Sequence, residues 1–259
     1  MSSHRVQVTG LAPWIEARRL LGPEFVEEQG TWCAELARED AADLAARLRG
    51  LGFGGALDVF IRPGLKRTAV REGRTRDARL RRDTTPGFTR PGARLDDEGR
   101  MSLTPEVLAL ELGRCAPDVM VYDLTCGCGG NAIGFARAGR RVVAVERSSR
   151  RLEMARHNAQ LYGVSDRIRF CHGDALEHLP EDGLVFVDPP WGGDWNKQRT
   201  TLDDLPLLAS ILERRSHDLW AKVPPSFDAR TVRASAKGVF GHAPGDRQRV
   251  KYVLLTFSA

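Results

Sequence analysis

The sequence predicts an α/β protein: a doubly wound, mostly parallel sheet over residues 96–259, preceded by a largely helical accessory segment over residues 1–95. Three observations predict it. Strand-like and helix-like patterns alternate beyond residue 96, which is the signature of βαβ units. A glycine-rich turn joins the first of those strands to a helix, as in nucleotide-binding sheets. A basic run over 62–94 ends in Pro-Gly turns, and these place a domain boundary near Asp96.

Within the accessory segment, Leu36, Leu44, Leu48 and Leu51 recur at helical spacing among alanines, and Gly50, Gly52, Gly54 and Gly55 stop the pattern. A helix is expected over 35–51. Beyond the boundary, Thr104-Pro105-Glu106 has an N-cap residue followed by proline at the first helical position, opening a helix to about Arg114. Residues 119–123 form a short apolar strand ending in an acid. Residues 131–138 read as a helix, 141–146 as a buried strand, and 149–162 as a helix closed by Gly163. Further strands are expected over 167–171, 184–188, 218–223 and 248–257, with helical connections over 202–214 and 228–236.

Composition narrows the setting. No apolar run approaches the 18 to 20 residues or so needed to span a bilayer, and Met-Ser-Ser-His-Arg lacks a signal-peptide layout. A cytoplasmic protein with no membrane partner is expected. The five cysteines are odd in number and scattered, which argues against a disulfide framework. Cys126-Gly-Cys128 has one intervening residue, unlike a structural zinc knuckle, so no metal is expected.

The first strand leads into Asp123-Leu-Thr-Cys-Gly-Cys-Gly-Gly130. Glycines there let backbone approach a ligand, and the following helix offers unpaired N–H groups. The candidate cofactor residues in this loop are Asp123, Cys126, Gly127, Gly129, Gly130 and Asn131. About twenty residues on, the next strand ends in Glu146, where a carboxylate can accept from both hydroxyls of a ribose; Arg147 follows it. The third strand is followed by Asp174 and Ala175, where a carboxylate can accept from an adenine amine. Together they point to an adenosine-containing cofactor. Acids at strand ends also cap the helices that follow, which is the plainer reading of any one of them.

The fourth strand ends in Asp188-Pro189-Pro190-Trp191. Two prolines stiffen the turn and fix what flanks it. An indole face stacks on a flat base for about 1–3 kcal/mol. A carboxylate accepts N–H donors from an exocyclic amine and so orients its lone pair for in-line methyl transfer. Guanine suits Asp188 well, because N1–H and N2–H are adjacent donors. A structural loop with a buried tryptophan is the alternative. Trp195, four residues on, suits packing or a second wall.

At these residues the chain resembles the trimethylguanosine synthase family of RNA cap guanine-N2 methyltransferases. The pieces that carry the resemblance are Ser102-Leu-Thr-Pro-Glu106, Asp123 to Asn131, Ala155-Arg-His-Asn-Ala159, Tyr162-Gly163 and Pro189-Pro-Trp-Gly-Gly193. The resemblance implies a class I methyltransferase fold, a seven-stranded Rossmann-like sheet, with S-adenosylmethionine as cofactor and S-adenosylhomocysteine as product. It also implies that Thr104 lies in the segment folding over the cofactor and that Trp191 stacks on guanine. The chain departs from the family in three places. Asp188 stands where the family has serine, and Met101 where it often has an aromatic residue. Its Leu-Pro-Arg-Asn reads Val223-Pro-Pro-Ser226, with Lys222 the expected replacement for a phosphate-contacting arginine.

Eleven basic residues against three acids over 62–94 give this run a local charge of +8 in a chain of net +5. A concentrated basic patch is the footprint of a phosphate-rich partner, and it also suits a solvated helix surface. Arg62, Lys66, Arg67, Arg71 and Arg74 are its candidate RNA contacts, with Lys222. The expected function is N-methylation of a guanine-like base in RNA or of a guanine-containing nucleotide. Two alternatives stay open: methylation of a small purine-like or natural-product substrate, and a non-catalytic RNA-binding protein on the same scaffold.

Overall fold

The computed structural model describes residues 3–192 and 194–259. Met1, Ser2 and Gly193, the last residue of the Pro-Pro-Trp-Gly-Gly motif, lie outside the described residues. Two chain units emerge from the packing. The first comprises residues 1–84, 191–204 and 224–253, and the second residues 85–190, 205–223 and 254–259.

The first unit opens with β1 (Ser3–Thr9), α1 (Ala17–Leu21), β2 (Val26–Glu28), β3 (Thr31–Ala37), α2 (Arg38–Leu48), β4 (Asp58–Arg62) and α3 (Arg67–Leu80). Its strands form an antiparallel sheet in the order β2-β3-β1-β4, so the largely helical expectation for the N-terminal segment is corrected to a mixed α and β one. The reason is visible in β1, where His4, Val6 and Val8 are buried while Ser3 and Arg5 are exposed, a period-two pattern that suits a strand with one covered face. The same pairing shortens the expected helix over 35–51. Residues 31–37 pair with β1, Ala34 opposite Val6, and the helix begins only at Arg38.

The second unit carries α4 (Asp97–Ser102), α5 (Glu106–Cys115), β5 (Val121–Asp123), α6 (Gly130–Arg137), β6 (Val142–Glu146), α7 (Ser149–Leu161), β7 (Ile168–His172), β8 (Leu184–Val187), α8 (Pro206–Arg214) and β9 (Leu219–Val223). With β10 (Ser235–Phe240) and β11 (Val250–Phe257) the sheet has seven strands, ordered β10-β11-β9-β8-β5-β6-β7. Strands β9, β8, β5, β6 and β7 are parallel neighbours, so the doubly wound α/β expectation holds. The chain winds from β5 out to β7 and returns to β8 beside β5. That reversal is where open parallel sheets bind ligands, outside the carboxyl ends of the strands.

Two local expectations change. The expected helix over 228–236 is a short turn at Ala229–Thr231 followed by β10. Asp228 is held by Arg199 and Arg230 and accepts from the Arg230 N–H, a side-chain turn that competes with a helix. Thr104 is not the N-cap of α5: Pro105 occupies that position, and Thr104, 3% exposed, is buried one residue earlier.

The boundary near Asp96 falls inside the second unit. Residues 85–94 are fastened there by Tyr162, whose hydroxyl accepts from the Thr89 and Arg90 N–H groups at 3.1 and 3.2 Å. The hydroxyl donates to Glu106 Oε2 at 2.5 Å. Burial favours a protonated Glu106, but donors from Tyr162, Thr89 and Arg137 outweigh it and hold its pKa at about 2. Phe88 packs on the core of the unit. Arg94 N–H donates to Asn158 Oδ1 at 2.7 Å. The Pro-Gly stretch is therefore an ordered strap rather than a linker.

Helices α5 and α6 pack through glycine. A Cβ at Gly134 would lie 2.4 Å from the Ala109 carbonyl oxygen, and one at Gly113 would lie 2.6 Å from that of Gly134. Backbone cannot yield as a flexible side chain can, so Gly134→Ala should destabilise the protein by about 1–3 kcal/mol, as overpacking does. Urea denaturation followed by circular dichroism measures it, and an unchanged midpoint would show that the helices part freely.

Candidate active site

Four acids stand at or just beyond the carboxyl ends of four adjacent parallel strands. Asp123 ends β5, Glu146 ends β6, Asp174 lies two residues past β7 and Asp188 one past β8. The strand order β8-β5-β6-β7 sets Asp123 between Asp188 and Glu146 in the row.

The glycine loop is shaped by its neighbours. Gly129 adopts φ +93° as the residue capping α6, and Gly127 adopts φ +52°, where a Cβ would meet nothing within 4 Å. The positive angles turn the chain from β5 into α6. Asn158, fully buried, donates to the Cys128 and Arg94 carbonyls at 2.9 and 2.8 Å, pinning the loop to α7. That role has a sequence signal, a polar residue on the buried stripe of a helix, but its partners do not. Cys126 is buried, and its thiol is pushed well up by burial and then by Asp123 and Glu146. It enters the site through backbone: its N–H donates to the Val145 carbonyl.

Glu146 is 8% exposed. Its Oε2 accepts from Gly127 N–H at 2.9 Å and its Oε1 from Ser148 N–H at 2.8 Å. A carboxylate has about four acceptor sites, so each oxygen retains one for a hydroxyl of a ribose. Asp174 is exposed and its Oδ1 accepts from Leu176 N–H at 2.8 Å, which is the capping role that acids at strand ends often fill; its other oxygen can take an amine. Ala175 is buried and Arg147 exposed.

Asp123 has no exposed surface. Burial raises its pKa to about 8, with the neighbouring Asp188 and Glu146 adding to the rise and backbone hydrogen bonds opposing it. Its Oδ2, Thr104 Oγ1 and Asn131 Oδ1 are buried without a partner among the described residues. Buried polar atoms are normally satisfied, and these three belong to the segments that frame the glycine loop. The set fits S-adenosylmethionine: unpaired acceptors and carboxylates for a ligand carrying an ammonium and a sulfonium, and Glu146 for its ribose.

Asp188 is mostly buried, and its backbone N–H donates to Thr125 Oγ1 at 2.8 Å. Burial raises its pKa, and Lys222 offsets part of the rise. Pro189 is buried and Pro190 exposed. Lys222 is not an exposed cation; it is 5% exposed, and its Nζ lies 2.6 Å from Asp188 Oδ2. Thr125 and the Lys222 pairing were outside what spacing alone identifies.

Trp191 belongs to the first unit. It meets Trp195 edge to face, with centroids 5.9 Å apart and planes at 79°. Two stacking walls would be parallel, so in this arrangement Trp195 buttresses Trp191.

The basic run separates into parts. Arg62 ends β4, Lys66 precedes α3, and Arg67, Arg71 and Arg74 lie at spacings of four and three along α3; all five are exposed. Ala69, Gly73 and Asp77 are the buried side of that helix. Arg76 pairs with Asp43 at 2.7 Å and Arg81 with Asp77 at 2.9 Å. Arg90 covers the Tyr162 ring.

The family described as RNA cap guanine-N2 methyltransferase matches residues 119–210, the stretch from β5 into α8. Trimethylguanosine synthase of Schizosaccharomyces pombe is 35% identical over 44% of this chain and 53% of that protein. Its Saccharomyces cerevisiae counterpart is 36% identical over 38% of this chain and 35% of that protein. The chain thus spans about half or less of the curated relatives it matches. An RNA methyltransferase from Salinibacter ruber, in complex with S-adenosyl-L-homocysteine, is similar in structure with a TM-score of 0.42 and 23% identity, covering 60% of this chain and 92% of that one. Over the matched stretch, the unit that holds the glycine loop is similar to RNA methyltransferases. Within that class the chain resembles the trimethylguanosine synthases.

The raised Asp123 pKa fixes a sign for pH dependence. The folded state binds a proton here that the unfolded chain releases near pH 4, so this contribution to stability is complete below about pH 4 and is lost as pH rises through about 8. Asp123→Asn should remove that loss and gain stability relative to the parent as pH rises across this window. Denaturant titrations of both proteins from pH 5 to 9 test it; parallel curves would mean that Asp123 is ionised throughout.

Proposed function

We propose that the protein transfers a methyl group from S-adenosylmethionine to the exocyclic amine of a guanine-like base in RNA. The observation that carries the reading is Asp188, a mostly buried carboxylate just past β8, beside the row of acids suited to the cofactor. The match to a guanine-N2 methyltransferase family and to trimethylguanosine synthases supports it.

When bound, S-adenosylmethionine supplies an electrophilic methyl group on a sulfonium. The rest falls to the chain. Glu146 holds the ribose hydroxyls, and Asp174 accepts from the adenine amine. Thr104, Asn131 and the N–H groups of the loop around Gly127, Gly129 and Gly130 enclose the remainder. Asp188 accepts N–H from the acceptor amine, so the nitrogen lone pair points away from the carboxylate. Burial raises the proton affinity of Asp188, which makes it a better acceptor for the proton the amine sheds. The stiff Pro189-Pro190 turn and the Trp191 ring fix the plane of the base, since alignment supplies much of the rate in such a displacement. Arg62, Lys66, Arg67, Arg71 and Arg74 are proposed to hold RNA phosphates. A cytoplasmic setting is part of the same proposal.

The direct test incubates the protein with unmodified transcribed RNA and isotopically labelled S-adenosylmethionine, then separates the nucleosides. Label in N2-methylguanosine is expected. Label only in other nucleosides would overturn the guanine reading, and label only in small molecules of a cell extract would replace RNA with a free metabolite.

Two further outcomes follow. Asp188→Ala and Trp191→Ala should each suppress turnover while leaving cofactor affinity within about threefold, the pattern of groups that act on the acceptor. Glu146→Ala should instead weaken the cofactor by about 10- to 100-fold through lost charged hydrogen bonds. Calorimetry with S-adenosylhomocysteine separates the two classes. Replacing Arg67, Arg71 and Arg74 together by alanine should weaken RNA binding and flatten the slope of log K against log salt by about 2 for single strands. Salt-independent affinity in the parent would remove the arginines from the interface.

A further inference from the structure

Lys222 lies on β9 directly after Ala221, the register partner of Val187 at the end of β8. Parallel pairing therefore brings Lys222 beside Asp188, the next residue of the neighbouring strand. Its Nζ donates to Asp188 Oδ2 at 2.6 Å and to the Ser102 carbonyl at 3.1 Å. Ser102 ends α4 and stands two residues before Thr104, whose buried hydroxyl frames the cofactor site. With 5% of Lys222 and 15% of the Asp188 side chain exposed, this is a buried ion pair. Such pairs hold only when geometry is good and the remaining donors are satisfied, and the Ser102 carbonyl satisfies one. An ammonium in that position is taken up by protein and is poorly placed to grip a phosphate in solvent.

We infer that Lys222 is a positioning residue: it occupies Oδ2 of Asp188, reserves Oδ1 for the acceptor amine, and ties the acceptor carboxylate to the segment that frames the cofactor. The inference rests on the reading of Asp188 as the group that receives the amine. Beside Asp188 among the described residues stand Lys222, from β9, and Asp123, from β5, and burial keeps Asp123 protonated to about pH 8. Burial disfavours the ionised Asp188 carboxylate and Lys222 favours it. Lys222 therefore sets both the direction of Asp188 and its charge, and its own contact with substrate is not required.

The test is a carbon-13 NMR titration of the Asp188 carboxyl in the full chain from pH 4 to 9, its resonance assigned by loss in Asp188→Asn. Replacing Lys222 with methionine should raise the Asp188 midpoint by about one pH unit or more, the usual effect of losing an adjacent cation. Lys222→Arg should restore it most of the way. A midpoint unmoved in folded Lys222→Met overturns the inference. If that variant loses its folded circular dichroism, Lys222→Gln, which keeps donors but not charge, is titrated instead under the same criterion. The acceptor reading is tested separately with unmodified transcribed RNA. Full methylation by Asp188→Asn would remove that reading while leaving the Lys222 titration to stand or fall alone. If Asp188→Asn is inactive, the acid limb of turnover against pH should move upward in Lys222→Met and return in Lys222→Arg.

Discussion

Burial of carboxyl groups at the carboxyl edge of the parallel sheet is the constraint around which the second unit is organised. Parallel strands β8, β5 and β6 deliver Asp188, Asp123 and Glu146 to one edge, and low dielectric strengthens every interaction between them. Each is relieved differently. Glu146 is held by two backbone N–H groups and Asp188 by an ammonium. Asp123, between them, retains an unpartnered oxygen and holds its proton to about pH 8. A cationic ligand offers the missing compensation. The electrostatic cost of burying these carboxyl groups is thus also a source of affinity for a positively charged cofactor.

Rigidity around that edge comes from bonds between elements of the second unit. Asn158 fastens the glycine loop to α7 and to the strap over 85–94, while Tyr162 and Glu106 fasten the strap itself. Arg151 pairs with Asp96 at 2.8 Å and also with Glu98, anchoring α4 and so the approach to Thr104. Because each bond joins elements distant in sequence, the loop geometry is a tertiary property rather than a local one.

The sequence made much of this readable, and for physical reasons. The run from β5 to β8 has short apolar strands, glycine punctuation and amphipathic helices, where local preference and tertiary demand agree. Asp123, Glu146, Asp174 and Asp188 were legible because strand ends are easily located. Lys222 was not, because its role depends on which strands are neighbours, and β9 meets β8 through a return crossing that no spacing reveals. The N-terminal strands were missed for a related reason. β3 runs into α2 without a break in its alanine-rich sequence, so propensity alone extends the helix through residues that pair with β1. The basic run looked uniform in charge, yet Arg76 and Arg81 serve internal ion pairs, which only the fold distinguishes from the exposed arginines of α3.

The two units are interleaved along the sequence. The first unit takes residues 1–84, then 191–204, then 224–253, and the second takes the stretches between them and the last six residues, 254–259. A ribosome delivers these pieces in order, and domains that are continuous in sequence can fold as they emerge. Neither unit here has that option. The amino-terminal sheet is complete in strands long before the segments that finish its unit have been synthesised, and the second unit waits for residues 254–259. Assembly therefore follows synthesis of the interleaved stretches, and a nascent chain halted near residue 220 would leave both units unfinished.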